Sequence, residues 1–92
     1  MNIHFARNIH FTKHLKTEER VREFNFRKIP SPENNLFHVD VPDDRGNRII
    51  FKMQKVSNTE WKIIDQPLPK WIWDYEKSLN DLIEEELQHI ES

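Results

Sequence analysis

The sequence predicts an α+β domain: an antiparallel meander sheet of about five to six strands, with one C-terminal amphipathic helix packed on one face. Three observations predict it. Apolar and polar residues alternate through most of 2–29 and 36–65, the period of strands with one buried face. Clusters of Pro, Asp, Asn, Ser and Gly at 30–35, 42–47 and 57–59 cut that alternation into strand-sized pieces. After Gln66, Pro67, Leu68 and Pro69 the period changes to that of a helix, which runs over about 69–90.

At the amino terminus Ile3, Phe5, Arg7, Ile9, Phe11, Lys13 and Leu15 occupy odd positions, and Asn2, His4, Ala6, Asn8, His10, Thr12 and His14 even ones. One unbroken strand would be about 46 Å long, too long for so small a domain. The repeated Asn-Ile-His-Phe at 2–5 and 8–11 suggests a break. A three-residue hairpin loop of Ala6, Arg7 and Asn8 sets Phe5 opposite Ile9 and Ile3 opposite Phe11, with Asn8 in the left-handed conformation that Asn tolerates. A single bulged strand is the alternative.

Residues 16–20 read as a charged connector of about one helical turn. The strand at 21–29 follows, with Phe24 and Phe26 on one face and Arg22 and Lys28 near its ends. Beyond the loop at 30–35, Phe37, Val39 and Val41 share a face opposite Leu36, His38 and Asp40. The turn at 42–47 contains Gly46, the chain's one glycine and its least strained source of positive φ. Ile49, Phe51 and Met53 then alternate with Ile50, Lys52 and Gln54, and after the turn at 57–59 Trp61, Ile63 and Ile64 open the last strand. Residues 36–65 therefore form a three-stranded meander.

Pro69 suits the first helical position. At 100° per residue, Ile72, Tyr75, Leu79, Leu82, Ile83 and Ile90 fall in one apolar stripe with Leu87 at its edge, and that stripe must cover the sheet. Leu68 cannot accept a bond from the first amides, so the N-cap is poor. Asp74 and Glu76 favour the helix dipole, whereas Glu84, Glu85, Glu86 and Glu91 oppose it, and the last turn is expected to fray.

Ninety-two residues make a single domain, 1–92, with one modest core. Six Phe, three Trp and one Tyr, with a net charge of only −2, set the chain apart from disordered sequences. Without cysteine there is no disulfide framework, thiolate nucleophile or cysteine-held metal. No apolar run approaches the roughly 18 residues of a membrane span, and the first residues lack a signal peptide's apolar centre, so the expectation is a cytoplasmic protein without a membrane association. Charge is unevenly spread. Residues 1–30 carry seven Lys and Arg against three Glu, while 61–92 carry three Lys against eight acids. Such halves either face each other or form separate solvated surfaces, and the sharper alternative is a basic binding face.

No motif for catalysis, a cofactor or nucleic acid is present, so the sequence does not by itself determine a function. His4, His10 and His14 share a polar face, but a cross-strand pair supplies two metal ligands at most, and exposed strand histidines without a metal are the preferred reading. No Ser or Thr has a base and an orienting group beside it, and Asp43 and Asp44 are explained by turn hydrogen bonds; no catalytic residue, enzymatic activity or cofactor is expected. The basic amino-terminal strands, with Arg7, Arg22 and Arg27, could hold an anionic ligand or single-stranded nucleic acid, but Phe5 and Phe11 lie on the core side and cannot stack on bases, so nucleic acid is disfavoured.

The tryptophans divide by phase. Trp61 belongs to the core, Trp71 lies about 80° from the helix stripe and caps the core edge, and Trp73 lies about 125° away on the other side. The expectation is a small non-enzymatic domain that binds another protein, or a second copy of itself, through Trp73, Trp71 and an exposed sheet edge. Weak single-strand or anionic-ligand binding through Arg7, Arg22 and Arg27 is the alternative.

Overall fold

Alternating side chains and short turns build a five-stranded antiparallel sheet in the order β1-β2-β3-β4-β5, as a computed structural model of the chain shows. The structure describes residues 9–18, 20–30, 35–64 and 66–91. The strands are β1 (His10–Thr17), β2 (Arg20–Ile29), β3 (Leu36–Pro42), β4 (Arg48–Ser57) and β5 (Glu60–Ile63); α1 (Lys70–Asp74) and α2 (Glu76–Glu91) follow. The meander is the predicted one. Among the described residues no helix is long and apolar enough to cross a membrane.

One face of the sheet carries the core. Phe24 and Phe26 of β2, Phe37, Val39 and Val41 of β3, Phe51 and Met53 of β4, and Trp61 and Ile63 of β5 are buried with Ile72, Leu79, Ile83 and Leu87 of the helices. Leu87, expected at the edge of the stripe, is thus inside it. Phe11 stacks on Phe26 at 4.8 Å and meets Phe37 edge-on at 5.8 Å, and Phe37 meets Trp61 edge-on at 5.1 Å. These aromatic pairs carry the core from β1 to β5.

Two local expectations change. The proposed hairpin loop of Ala6, Arg7 and Asn8 lies outside the described residues, but the connector at 16–20 is no helical turn. Lys16 and Thr17 complete β1 and pair with Val21 and Arg20, so β1 and β2 form a tight hairpin. Glu18 adopts a φ of 55°, which is uncommon for a residue with a Cβ. Its backbone N–H donates to the Tyr75 hydroxyl at 3.0 Å, and Thr17 beside it is buried. Contacts from distant segments hold a turn that lacks the usual Gly, Asn or Asp.

The helix, in turn, is interrupted at Tyr75, where φ is −106° and ψ 13°. The Tyr75 N–H donates to the Ile72 carbonyl three residues back, and α2 begins afresh at Glu76. The break lets Tyr75 reach the β1–β2 turn while α2 follows the sheet.

The two edges of the sheet are finished differently. On β5 the Trp61 N–H donates to Asn80 Oδ1, the Ile63 N–H to Glu76 Oε2 at 2.8 Å, and the Trp61 indole N–H to Glu84 Oε2 at 2.8 Å. Residues 76, 80 and 84 lie one helical turn apart, so a single ridge of α2 satisfies donors along this edge. On β1, Lys13 points to the helix side and pairs with Glu86 at 3.0 Å, an inward charge of the kind that discourages strand addition. Asn80→Ala is expected to cost about 1–2 kcal/mol by leaving the Trp61 N–H without its acceptor, and Asn80→Asp, which retains one, under about 1 kcal/mol. Urea unfolding midpoints check both values.

Candidate functional site

The helices cover one face of the sheet, and the side chains on the other face form cross-strand rows. In the central row His10 of β1 pairs with Arg27 of β2, Arg27 with His38 of β3, and His38 with Lys52 of β4. Alternation places all four opposite the core, because Phe11, Phe26, Phe37 and Phe51 beside them point inward. His38 is half-buried, and the other three are exposed. Directly opposed residues hold their Cβ atoms about 4.5–5.5 Å apart, so the row brings two permanent cations and two imidazoles onto neighbouring strands. Among the described residues, none of these four side chains has a hydrogen-bond or ion-pair partner.

The adjacent rows differ sharply. On one side the Thr12 hydroxyl donates to Asn25 Oδ1 at 2.6 Å, Asn25 Nδ2 donates to Asp40 Oδ1 at 3.1 Å, and Arg48 Nη1 donates to the same oxygen at 2.7 Å. That network satisfies its own donors and offsets the Asp40 charge with Arg48. Farther along, His14 lies 3.7 Å from Glu23. On the other side Ile29 pairs with Leu36, an apolar step at the ends of β2 and β3.

The central row opens into a hollow of about 610 Å³ lined by His10, Arg27, Lys28, Ile29, Pro30, His38 and Lys52. This size suits a small organic ligand. Among the described residues the lining has cationic and imidazole donors and an apolar wall but no hydroxyl, thiol or carboxylate side chain. It is equipped to hold an anion by charge-assisted hydrogen bonds. His10 and His38 stand two strands apart with Arg27 between them, and no group of three or more His, Cys, Asp or Glu among the described residues could hold a metal ion. A smaller hollow, about 230 Å³, lies between β5 and α2, where Glu76 and Asn80 already accept backbone hydrogen bonds.

Of the basic residues singled out from the sequence, Arg27 stands in this row. Arg7 lies outside the described residues. Arg22 is on the core side, where its Nε donates to Thr17 Oγ1 at 3.0 Å, its Nη1 to the Pro42 carbonyl at 3.4 Å and its Nη2 to Asp44 Oδ1 at 2.9 Å. Its guanidinium carbon also sits 4.2 Å from the Trp71 ring centre, and Phe24 meets the same ring edge-on at 6.4 Å. Trp71 and Trp73 are both half-buried against the core, as a core-edge position for Trp71 anticipated.

Sequence reasoning did not assemble His38 and Lys52 with Arg27. The signal lay in the loops: the 42–47 turn folds about Arg45 and sets His38 against Lys52, while the 30–35 loop sets Arg27 against His38. No protein-family model matches the chain, no curated protein is similar to it in sequence, and no solved structure matches its fold.

Proposed function

We propose that this protein is a non-enzymatic binding domain that takes an anionic ligand on the uncovered face of its sheet. The observation that carries the reading is the His10, Arg27, His38 and Lys52 row, open to solvent beside a hollow of ligand size. Arg27 supplies a planar fork of N–H donors, Lys52 a mobile ammonium, and each imidazole an N–H donor in either tautomer. The alternative surface at Trp73 and Trp71 carries less, since both rings already have intramolecular neighbours and do not need a partner to cover them.

Titration of ¹⁵N-labelled protein with inorganic phosphate at low salt tests the reading. Saturable shifts are expected at the backbone amides of residues 10, 27, 38 and 52, with affinity falling as chloride is raised. Arg27→Ala and Lys52→Ala are each expected to weaken binding by about 10- to 100-fold, the loss of one charge-assisted hydrogen bond, and to change stability little because both side chains are exposed. Arg48→Ala, whose guanidinium is occupied by Asp40, serves as the control for charge alone. Equal losses from Arg27→Ala and Arg48→Ala, or unsaturable shifts spread over the surface, would sink the proposal.

A further inference from the structure

We infer that the ligand is a small phosphate monoester, seated with its phosphate over His38 between Arg27 and Lys52 and with an apolar body against Ile29 and Pro30. This rests on the anion-binding reading and specifies its occupant.

The donors favour a phosphate over a carboxylate. His38 has Arg27 on one neighbouring strand and Lys52 on the other, so three donor groups stand side by side in one cross-strand row on the uncovered face. A terminal phosphate offers three oxygens in a pyramid and close to two negative charges, enough to engage the guanidinium, the ammonium and the imidazole together. A carboxylate brings one charge, which offsets only one of the two permanent cations, Arg27 and Lys52.

The surroundings favour a small ester over bare phosphate or a nucleic-acid chain. The wall beside Arg27 is apolar, because Ile29 follows it on the same face with Pro30 adjoining, and a bare phosphate has nothing to place against it. Among the described residues the row spans three interstrand steps, about 14 Å. In the flanking row the Asp40 charge is offset by Arg48, so among the described residues no basic track continues for successive phosphates. Among the described residues every Phe and Trp belongs to the core or packs against it, so this face has none on which bases could stack.

The test is a set of titrations on the wild-type chain, followed by amide shifts at constant ionic strength. The probes are phenyl phosphate, inorganic phosphate, phenol, a decathymidylate without terminal phosphates, and a phosphotyrosyl hexapeptide. Phenyl phosphate is expected to bind about tenfold more tightly than inorganic phosphate, through the apolar contact its ring adds. Phenol is expected not to bind, and the peptide to bind no more tightly than phenyl phosphate. Ile29→Ser should bring phenyl phosphate down to the affinity of inorganic phosphate and leave the latter unchanged.

Equal affinities of the two phosphates in the wild type would overturn the ester assignment but leave anion binding standing. Failure of both to bind would remove both readings. Tighter binding of the oligonucleotide would reassign the face to a nucleic-acid chain, and a peptide preference of tenfold or more would reassign it to a phosphorylated protein; either result overturns the small-ligand inference.

Discussion

Replacing Phe37 with alanine is expected to destabilise the fold by about 3–5 kcal/mol, the range for removing a fully buried aromatic ring. Phe37 is wholly inaccessible, sits on the central strand, and joins Phe11 on one side to Trp61 on the other. Losing it removes the transferred apolar area and both edge-to-face contacts, and leaves a cavity that rigid strands on either side close only in part. For 92 residues at roughly 0.05–0.15 kcal/mol per residue, total stability is about 5–14 kcal/mol, so this one ring carries a large share of it. Phe37→Leu, which refills most of the space, is expected to cost about 1–2 kcal/mol. Urea denaturation followed by tryptophan fluorescence measures the pair, and near-equal losses for Ala and Leu would show that the site collapses around a smaller residue.

Arg22→Ala is expected to cost about 2–4 kcal/mol, unusually much for an arginine. Its side chain is only 12% exposed, and its guanidinium ties three separate elements to β2: the end of β1 through Thr17, the end of β3 through the Pro42 carbonyl, and α1 through the Trp71 ring. The desolvated bonds and the cation–π contact account for the effect. The Asp44 contact contributes little, since Asp44 is 66% exposed and is shared with Arg20; Asp44→Ala should therefore lose under about 1 kcal/mol. Arg22→Lys keeps the charge but not the planar fork, and its loss is expected to lie nearer to that of Arg22→Ala than to wild type. A lysine variant as stable as wild type would show that charge, rather than the shared hydrogen bonds, holds α1 against the sheet.

These two residues illustrate what was legible beforehand. Alternation alone groups Phe37 with Val39 and Val41 on one face, because a strand with one wet face repeats its buried side at every second position. The meander turns were equally plain: the Asp43 carboxylate accepts from the N–H groups of Arg45 and Asn47, and Gly46 takes a φ of 85°. Arg22 was not legible. Its sequence neighbours make it one more basic residue, and its role depends on groups up to 49 positions away, at Trp71.

The same division holds for the remaining elements. The tight β1–β2 turn was missed because Glu18 is no turn former, and the Tyr75 hydroxyl that meets it lies 57 residues on. The helix interruption at Tyr75 left no Pro or Gly to mark it. For the candidate site, Arg27 was visible as a basic residue, but its pairing with His38 and Lys52 required two loop registers at once.

By itself the sequence determined the α+β class, the order of the strands, the side of each strand that is buried and the start of the helical region. These follow from local periodicity and turn chemistry, which each short segment carries within itself. Only the tertiary structure decided where the helix breaks, which strand edge α2 caps, and which arginine is spent on the fold and which faces solvent. Those outcomes depend on adjacency between distant segments, and adjacency is set by register and packing once the chain has closed on its core.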